Sequence, residues 1–172
     1  MRDEIEESTK NLRGWIAHVR KGQAKGLLET ITENAHRSGA EVLVVKSDMV
    51  FGIDHMKTAM YHARKAIDEH RNASESLAME TLLYSSGERQ LSSAISKMSV
   101  DKSTEEVAVV SLGNVILNPE TDWNEMPRIT NHIDKTRLMR FGVSSRELET
   151  VSTESGIELI FERVAAVDIL KK

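Results

Sequence analysis

Apolar residues recur along this chain with two periods, and the periods assign most of its elements. Leu27, Leu28, Ile31 and Ala35 fall at helical spacing within residues 27–38, and Gly39 stands where such a helix stops in a left-handed C′ conformation. Residues 41–46 enclose the unbroken run Val42-Leu43-Val44-Val45, which predicts a short buried strand, and residues 16–19 predict another. Residues 49–53 form a further turn or short strand. In the centre, Ile53, Met56, Met60, Ala63 and Ile67 repeat every three to four positions, an amphipathic helix over about residues 54–70. Ser74 is placed to cap the next helix, which buries Leu77, Leu82 and Leu83 and ends at Gly87. Another helix starts at Glu88 and carries Leu91, Ala94, Ile95 and Met98.

The second half is less regular. Residues 107–112 are rich in β-branched side chains and predict a strand, followed by the short apolar run 115–117. Both prolines, Pro119 and Pro127, fall within residues 114–131, which read as a long surface loop or as two strands broken by a turn. A short helix over 134–141 ends at Gly142, and Ser144 or Ser145 caps another that runs through Val151. In the tail, Ile157, Ile160, Phe161 and Val164 suit a helix over 157–170, whereas Ile157, Leu159 and Phe161 alternate as in a strand; helix is the favoured reading. The pattern as a whole predicts one mixed α/β (α+β) domain over residues 1–172, a small mixed sheet covered by several helices.

Composition narrows the function. The 172 residues are 40% hydrophobic and 29% charged, ordinary values for a globular protein with a real core. The cysteine count is 0, which leaves no disulfide framework, thiolate metal site or cysteine nucleophile. The acidic, polar residues 1–9 lead us to expect no signal or transit peptide, and no apolar run approaches the roughly 20 residues that span a bilayer. A cytoplasmic location is the expectation. The net charge of -4 argues against a dedicated duplex-DNA binder, and 4% aromatic residues argue against a broad base-stacking platform. Binding of a few nucleotides through a local patch remains open.

A search for catalytic chemistry turns up little. There is no Walker-type phosphate loop, no G-x-S-x-G elbow, no H-E-x-x-H and no dinucleotide fingerprint. Ser99-Val100-Asp101-Lys102 matches S-x-x-K but lacks the companion motifs. Glu33 and His36 make one Glu-x-x-His pair, where a di-iron bundle needs two and further glutamates. His55, His62 and His70 recur at seven and eight residues, two turns apart and too far to share one metal. Neither an active site nor a cofactor is expected. A metal-dependent hydrolase built on Glu33, His36 and His62 is the enzymatic alternative.

The basic residues say more. Lys57, Arg64 and Arg71 recur every seven residues and share one side of the central helix, with Lys65 elsewhere on it. Arg89 and Gln90 are expected in the first turn after Gly87, where free N–H groups favour an anion. Together these six make a candidate RNA-binding set, although Asp54, Asp68 and Glu69 dilute the charge and arginine stems often only cover apolar surface. Leu138, Met139 and Phe141 crowd three large apolar groups into four positions, more than one face of a short helix buries. Any unburied remainder would be a partner-binding patch.

The segment Asp48-Met49-Val50-Phe51-Gly52-Ile53-Asp54-His55-Met56, followed by Ala59, His62-Ala63 and Ala66, resembles the regulatory subunit family of the KEOPS complex, the PRPK-binding proteins. The likeness continues through Ser76–Tyr84 and Ser85-Ser86-Gly87-Glu88-Arg89-Gln90-Leu91, close to that family's S-G-x-R-Q-I, and through Ala94-Ile95. Leu138 to Gly142-Val143 and Glu162-Arg163-Val164-Ala165 extend it, so the matching order runs from about residue 40 onward. Two departures stand out. Leu91 replaces the usual isoleucine, and residues 99–106 lack the glycine expected after the Ala-Ile helix.

The resemblance implies a mixed α/β protein that docks on the kinase-like ATPase of KEOPS, beside the other subunits of that complex. KEOPS makes threonylcarbamoyladenosine next to the anticodon, with the transfer chemistry on another subunit. The family's member binds tRNA, its single-stranded 3′ end included, and is not itself an enzyme. A protein-only adaptor with no RNA contact is the alternative that keeps the kinase partner.

Overall fold

The computed structural model describes residues 1–152 and 155–170. In chain order the elements are α1 (Arg2–Ser8), β1 (Leu12–His18), α2 (Ala24–Ser38), β2 (Glu41–Lys46), a 3-10 turn (Ser47–Met49), α3 (Ile53–Asp68), α4 (Leu77–Ser86) and α5 (Leu91–Met98). Then follow β3 (Glu106–Leu112), β4 (Trp123–Glu125), α6 (Lys135–Phe141), α7 (Ser145–Leu148) and α8 (Gly156–Leu170). The strands form one sheet in the order β2-β3-β1-β4, and every pairing is antiparallel, where strands of mixed direction were expected.

The register separates two cores. Leu43 faces Val110 and Val45 faces Ala108, and these side chains join Leu12, Met56, Met60 and Leu83 in the larger core under α3 and α4. Val44 faces Val109 on the opposite side, where Ala17, Val107, Ala24 and Ile31 make a smaller core under α2. One residue of slip would exchange the two sets, so the run of valines holds its register by having distinct partners on each face. α8 lies on the outer side of α3 and α4.

β1 is longer than the expected 16–19, because Arg13 and Gly14 interrupt its apolar alternation without interrupting its pairing. Residues 115–117 form no strand, whereas Trp123–Glu125 pair with Trp15–Ala17. The stretch after β4 crosses the start of α3: Ile53 N–H donates to the Pro127 carbonyl at 2.8 Å and Asp54 N–H to the Arg128 carbonyl at 3.0 Å. That crossing caps a helix whose N-cap, Gly52, offers no side chain. Gly52 sits at φ 109, and a Cβ there would drive into the Arg128 carbonyl oxygen.

Candidate functional site

Residues 53–98 fold as the three-helix layer that the spacing predicts, with corners set by polar groups. The cap of α4 is Ser76, whose Oγ accepts from the Met79 N–H at 3.3 Å, and not Ser74. Buried Glu80 decides this by gripping the N–H groups of Ala73 and Ser74 at 2.9 and 3.0 Å, which holds that segment outside the helix. Glu41, at the start of β2, accepts from the Ala78 N–H at 2.6 Å and so places a carboxylate at the N-terminal end of α4.

His55 is fully buried. Its Nδ1 accepts from the Phe51 N–H at 3.2 Å, which leaves Nε2–H to donate to the Ser85 carbonyl at 3.0 Å. Phe51, Phe141 and Phe161 surround the ring. Burial, with a smaller push from the charges of Lys97 and Arg137, lowers its pKa to about 4. His55 thus bolts the start of α3 to the end of α4 as a neutral ring. His62 faces elsewhere: its Nδ1 lies 3.0 Å from Asp168 Oδ2 on α8, and its ring stacks on Tyr84. Asp168 also accepts from the Tyr84 hydroxyl and from Arg71 Nη1, so one carboxylate ties α8 to α3, to α4 and to the segment between them.

The six basic and polar candidates do not share one fate. Lys57 Nζ is 2.6 Å from Glu6 on α1, and Arg71 is held by Glu69 and Asp168. Two of the three heptad-spaced cations are therefore neutralised within the fold. Arg64, between them, is partly buried, and its Nε is closed to solvent with no acceptor among the described residues. Lys65 is exposed on a neighbouring strip. Arg89 and Gln90 are exposed with no side-chain partner among the described residues. They lie just before α5 and not in its first turn. Gly87 turns into the left-handed conformation and Ser86 Oγ accepts from the Glu88 N–H, so the chain leaves α4 through a non-helical corner and Gln90 becomes the N-cap.

Lys97, on α5, closes that corner from below. Its ammonium donates to the Ser86 carbonyl at 2.6 Å and to Glu88 at 3.1 Å and sits 4.0 Å above the Phe141 ring. Burial lowers its pKa. The corner thus presents Arg89 and Gln90 on a frame fixed by Lys97, His55 and the aromatic cluster beneath.

The sequence profile of the kinase binding protein CGI-121 family matches residues 18–162. The chain belongs to the kinase-binding CGI-121 family. No curated protein matches closely enough to add to that assignment. The span includes β1 from its last residue, the three-helix layer, the Gly87–Gln90 corner and α6, while α1 precedes it. The family is the one the motifs around Gly52–His55 and Ser86–Leu91 resemble.

On this CGI-121 fold the apolar candidates of α6 separate. Leu138 and Phe141 are fully buried, so they belong to the core and cannot offer a partner a surface. Met139 alone is left outside, 49% exposed. What the sequence did not single out is α8, where Ala165 is exposed and Ile169 is 72% exposed on the side away from the core. Its signal was a helix with apolar residues on nearly every side, more than its packing on α3 and α4 covers.

The hydrolase alternative meets a geometric obstacle. Glu33 and His36 lie on α2 over one face of the sheet, whereas His62 lies on α3 over the other. Among the described residues no group of three or more histidine, aspartate and glutamate side chains is arranged to hold a metal ion. No helix among them is long and apolar enough to cross a membrane.

Proposed function

We propose that this chain is a non-catalytic, cytoplasmic subunit of a KEOPS-type complex that docks on the kinase-like ATPase and helps hold tRNA, its single-stranded 3′ end included. Membership of a kinase-binding family supports the first half. One observation carries the second. Arg64 is partly exposed on α3, and no acceptor among the described residues holds its guanidinium. The remaining N–H groups of this guanidinium are not spent inside the described chain, so an acceptor supplied from outside, such as a phosphate oxygen, fits them. Lys65, Arg89 and Gln90 are exposed and available to continue the track.

The protein-only adaptor draws its support from the internal pairing of Lys57 and Arg71. Titrating tRNA and 3′-trimmed tRNA at several salt concentrations separates the two readings. Binding that weakens on trimming, with a salt slope about 0.7 shallower in both Arg64→Ala and Arg89→Ala, is expected for phosphate contacts to a single strand. Slopes unchanged in both variants would remove these residues from the RNA surface, and no binding at low salt would leave the adaptor.

A further inference from the structure

α1 covers part of the very side that the RNA reading uses. It carries Asp3, Glu4, Glu6 and Glu7 against Arg2 alone, and none of its residues is buried. Seven residues are too few to hold a helix in water by themselves, so α1 keeps its shape through what it lies on. It lies on α3. Glu6 accepts from Lys57 Nζ at 2.6 Å and approaches Arg128 Nη2 at 3.9 Å, while Glu4, held mainly by the chain's terminal ammonium, also meets Tyr61 and the charge of Lys65.

The contact is unequal in a telling way. The Lys57 side chain is only 18% exposed, so its ammonium is reached from outside only if α1 moves. Glu6 is 48% exposed and α1 contributes no residue to either core, so moving it breaks ion pairs in water and uncovers little apolar surface beyond the partly buried Ile5. A carboxylate on an ammonium is also what a phosphate oxygen replaces one for one.

We infer that α1 is a displaceable acidic strap, its Glu6 standing on Lys57 where an RNA phosphate stands when tRNA is engaged. The strap competes with RNA for the first half of the basic side and leaves Arg64 as the open half. It makes binding by this chain weaker and more selective than the basic side alone would allow, because only an RNA that already engages Arg64 and the Gly87–Gln90 corner gains enough to lift α1. This inference rests on the RNA reading above.

The test uses the full chain. Glu6→Gln removes the carboxylate charge and keeps the shape. Its affinity for tRNA at low salt is expected to rise by up to about fivefold, the most that an exposed ion pair supports. Its salt slope should stay that of the unaltered chain, because Lys57 meets a phosphate in both complexes. Adding Lys57→Ala to Glu6→Gln should abolish the gain and make the slope about 0.7 shallower. Amide hydrogen exchange of residues 2–8 in the unaltered chain should accelerate when tRNA is added. If Glu6→Gln binds no better than the unaltered chain while Arg64→Ala binds worse, the strap is wrong and the RNA reading stands. Slower exchange of α1 on adding tRNA overturns the strap equally, and absence of binding in every variant removes both.

Discussion

Replacing His55 by glutamine separates its hydrogen bonds from its titration. The ring is fully buried, its Nδ1 spent on the Phe51 N–H and its Nε2–H on the Ser85 carbonyl, so a second ring proton has no acceptor to go to. Burial lowers its pKa to about 4, with Lys97 and Arg137 opposing the charge further. The ordinary histidine value, about 6.5, applies once the chain unfolds. Between those values the unfolded state binds the extra proton and the folded state does not. Stability from this group is therefore intact above about pH 6.5 and falls as the pH drops. Integrating the difference from pH 7 to pH 5 gives a loss of about 2 kcal/mol from His55 alone. Other groups titrate in the same range, so the informative quantity is a double difference: urea unfolding of the unaltered chain and of His55→Gln, each at pH 7 and pH 5. The glutamine amide can still donate to Ser85, and whatever it costs in shape it costs at both pH values. The unaltered chain should lose about 2 kcal/mol more than the variant on going to pH 5. An equal loss in both would mean that His55 is not held neutral, and the account of it as a bolt between α3 and α4 would fail.

Three further changes test other joints. Gly52→Ala should cost about 2 kcal/mol or more in thermal unfolding, since φ 109 is strained for any side chain and the Arg128 carbonyl blocks the Cβ. Asp168→Ala removes the acceptor shared by Tyr84, Arg71 and His62; a loss of about 1–3 kcal/mol and faster amide exchange in the last turns of α8 are expected, and unchanged exchange would deny the anchor. Ile169→Arg and Met139→Arg, on exposed positions, should leave melting within about 0.5 kcal/mol of the unaltered chain. Whichever of the two abolishes capture by the kinase partner marks the docking face, whereas Leu138→Arg should simply unfold the protein.

Elements with their own internal period are legible in the amino-acid pattern alone. α3 and α8 emerge close to their true limits from helical spacing, and β2 matches residue for residue from an unbroken apolar run that is buried on both faces of the sheet. The elements missed or misplaced are those whose limits depend on distant partners. The first half of β1 carries Arg13 and Gly14 and is a strand because β3 runs beside it. β4 is three residues long and exists because β1 offers an edge. Ser74 and Ser76 are equally good caps by local chemistry, and Glu80, six residues from Ser74, chooses between them.

Charged residues obey the same logic with larger consequences for function. Heptad spacing places Lys57 and Arg64 on one side of α3, but Arg71 lies past the helix end at Asp68 and the left-handed His70, and even a shared side becomes a binding surface only if its charges are unspent. What spends them lies far along the chain: Glu6 is 51 residues from Lys57 and Asp168 is 97 from Arg71. No helical period can report such partners. Apolar crowding on α6 fails for the mirror-image reason, since Phe51 and Lys97 arrive from distant segments to cover Phe141 and leave Met139 outside. A cation that no carboxylate of the described fold holds, as Arg64 is, therefore points to an external anion more strongly than three cations in a row, because the other two are already spent.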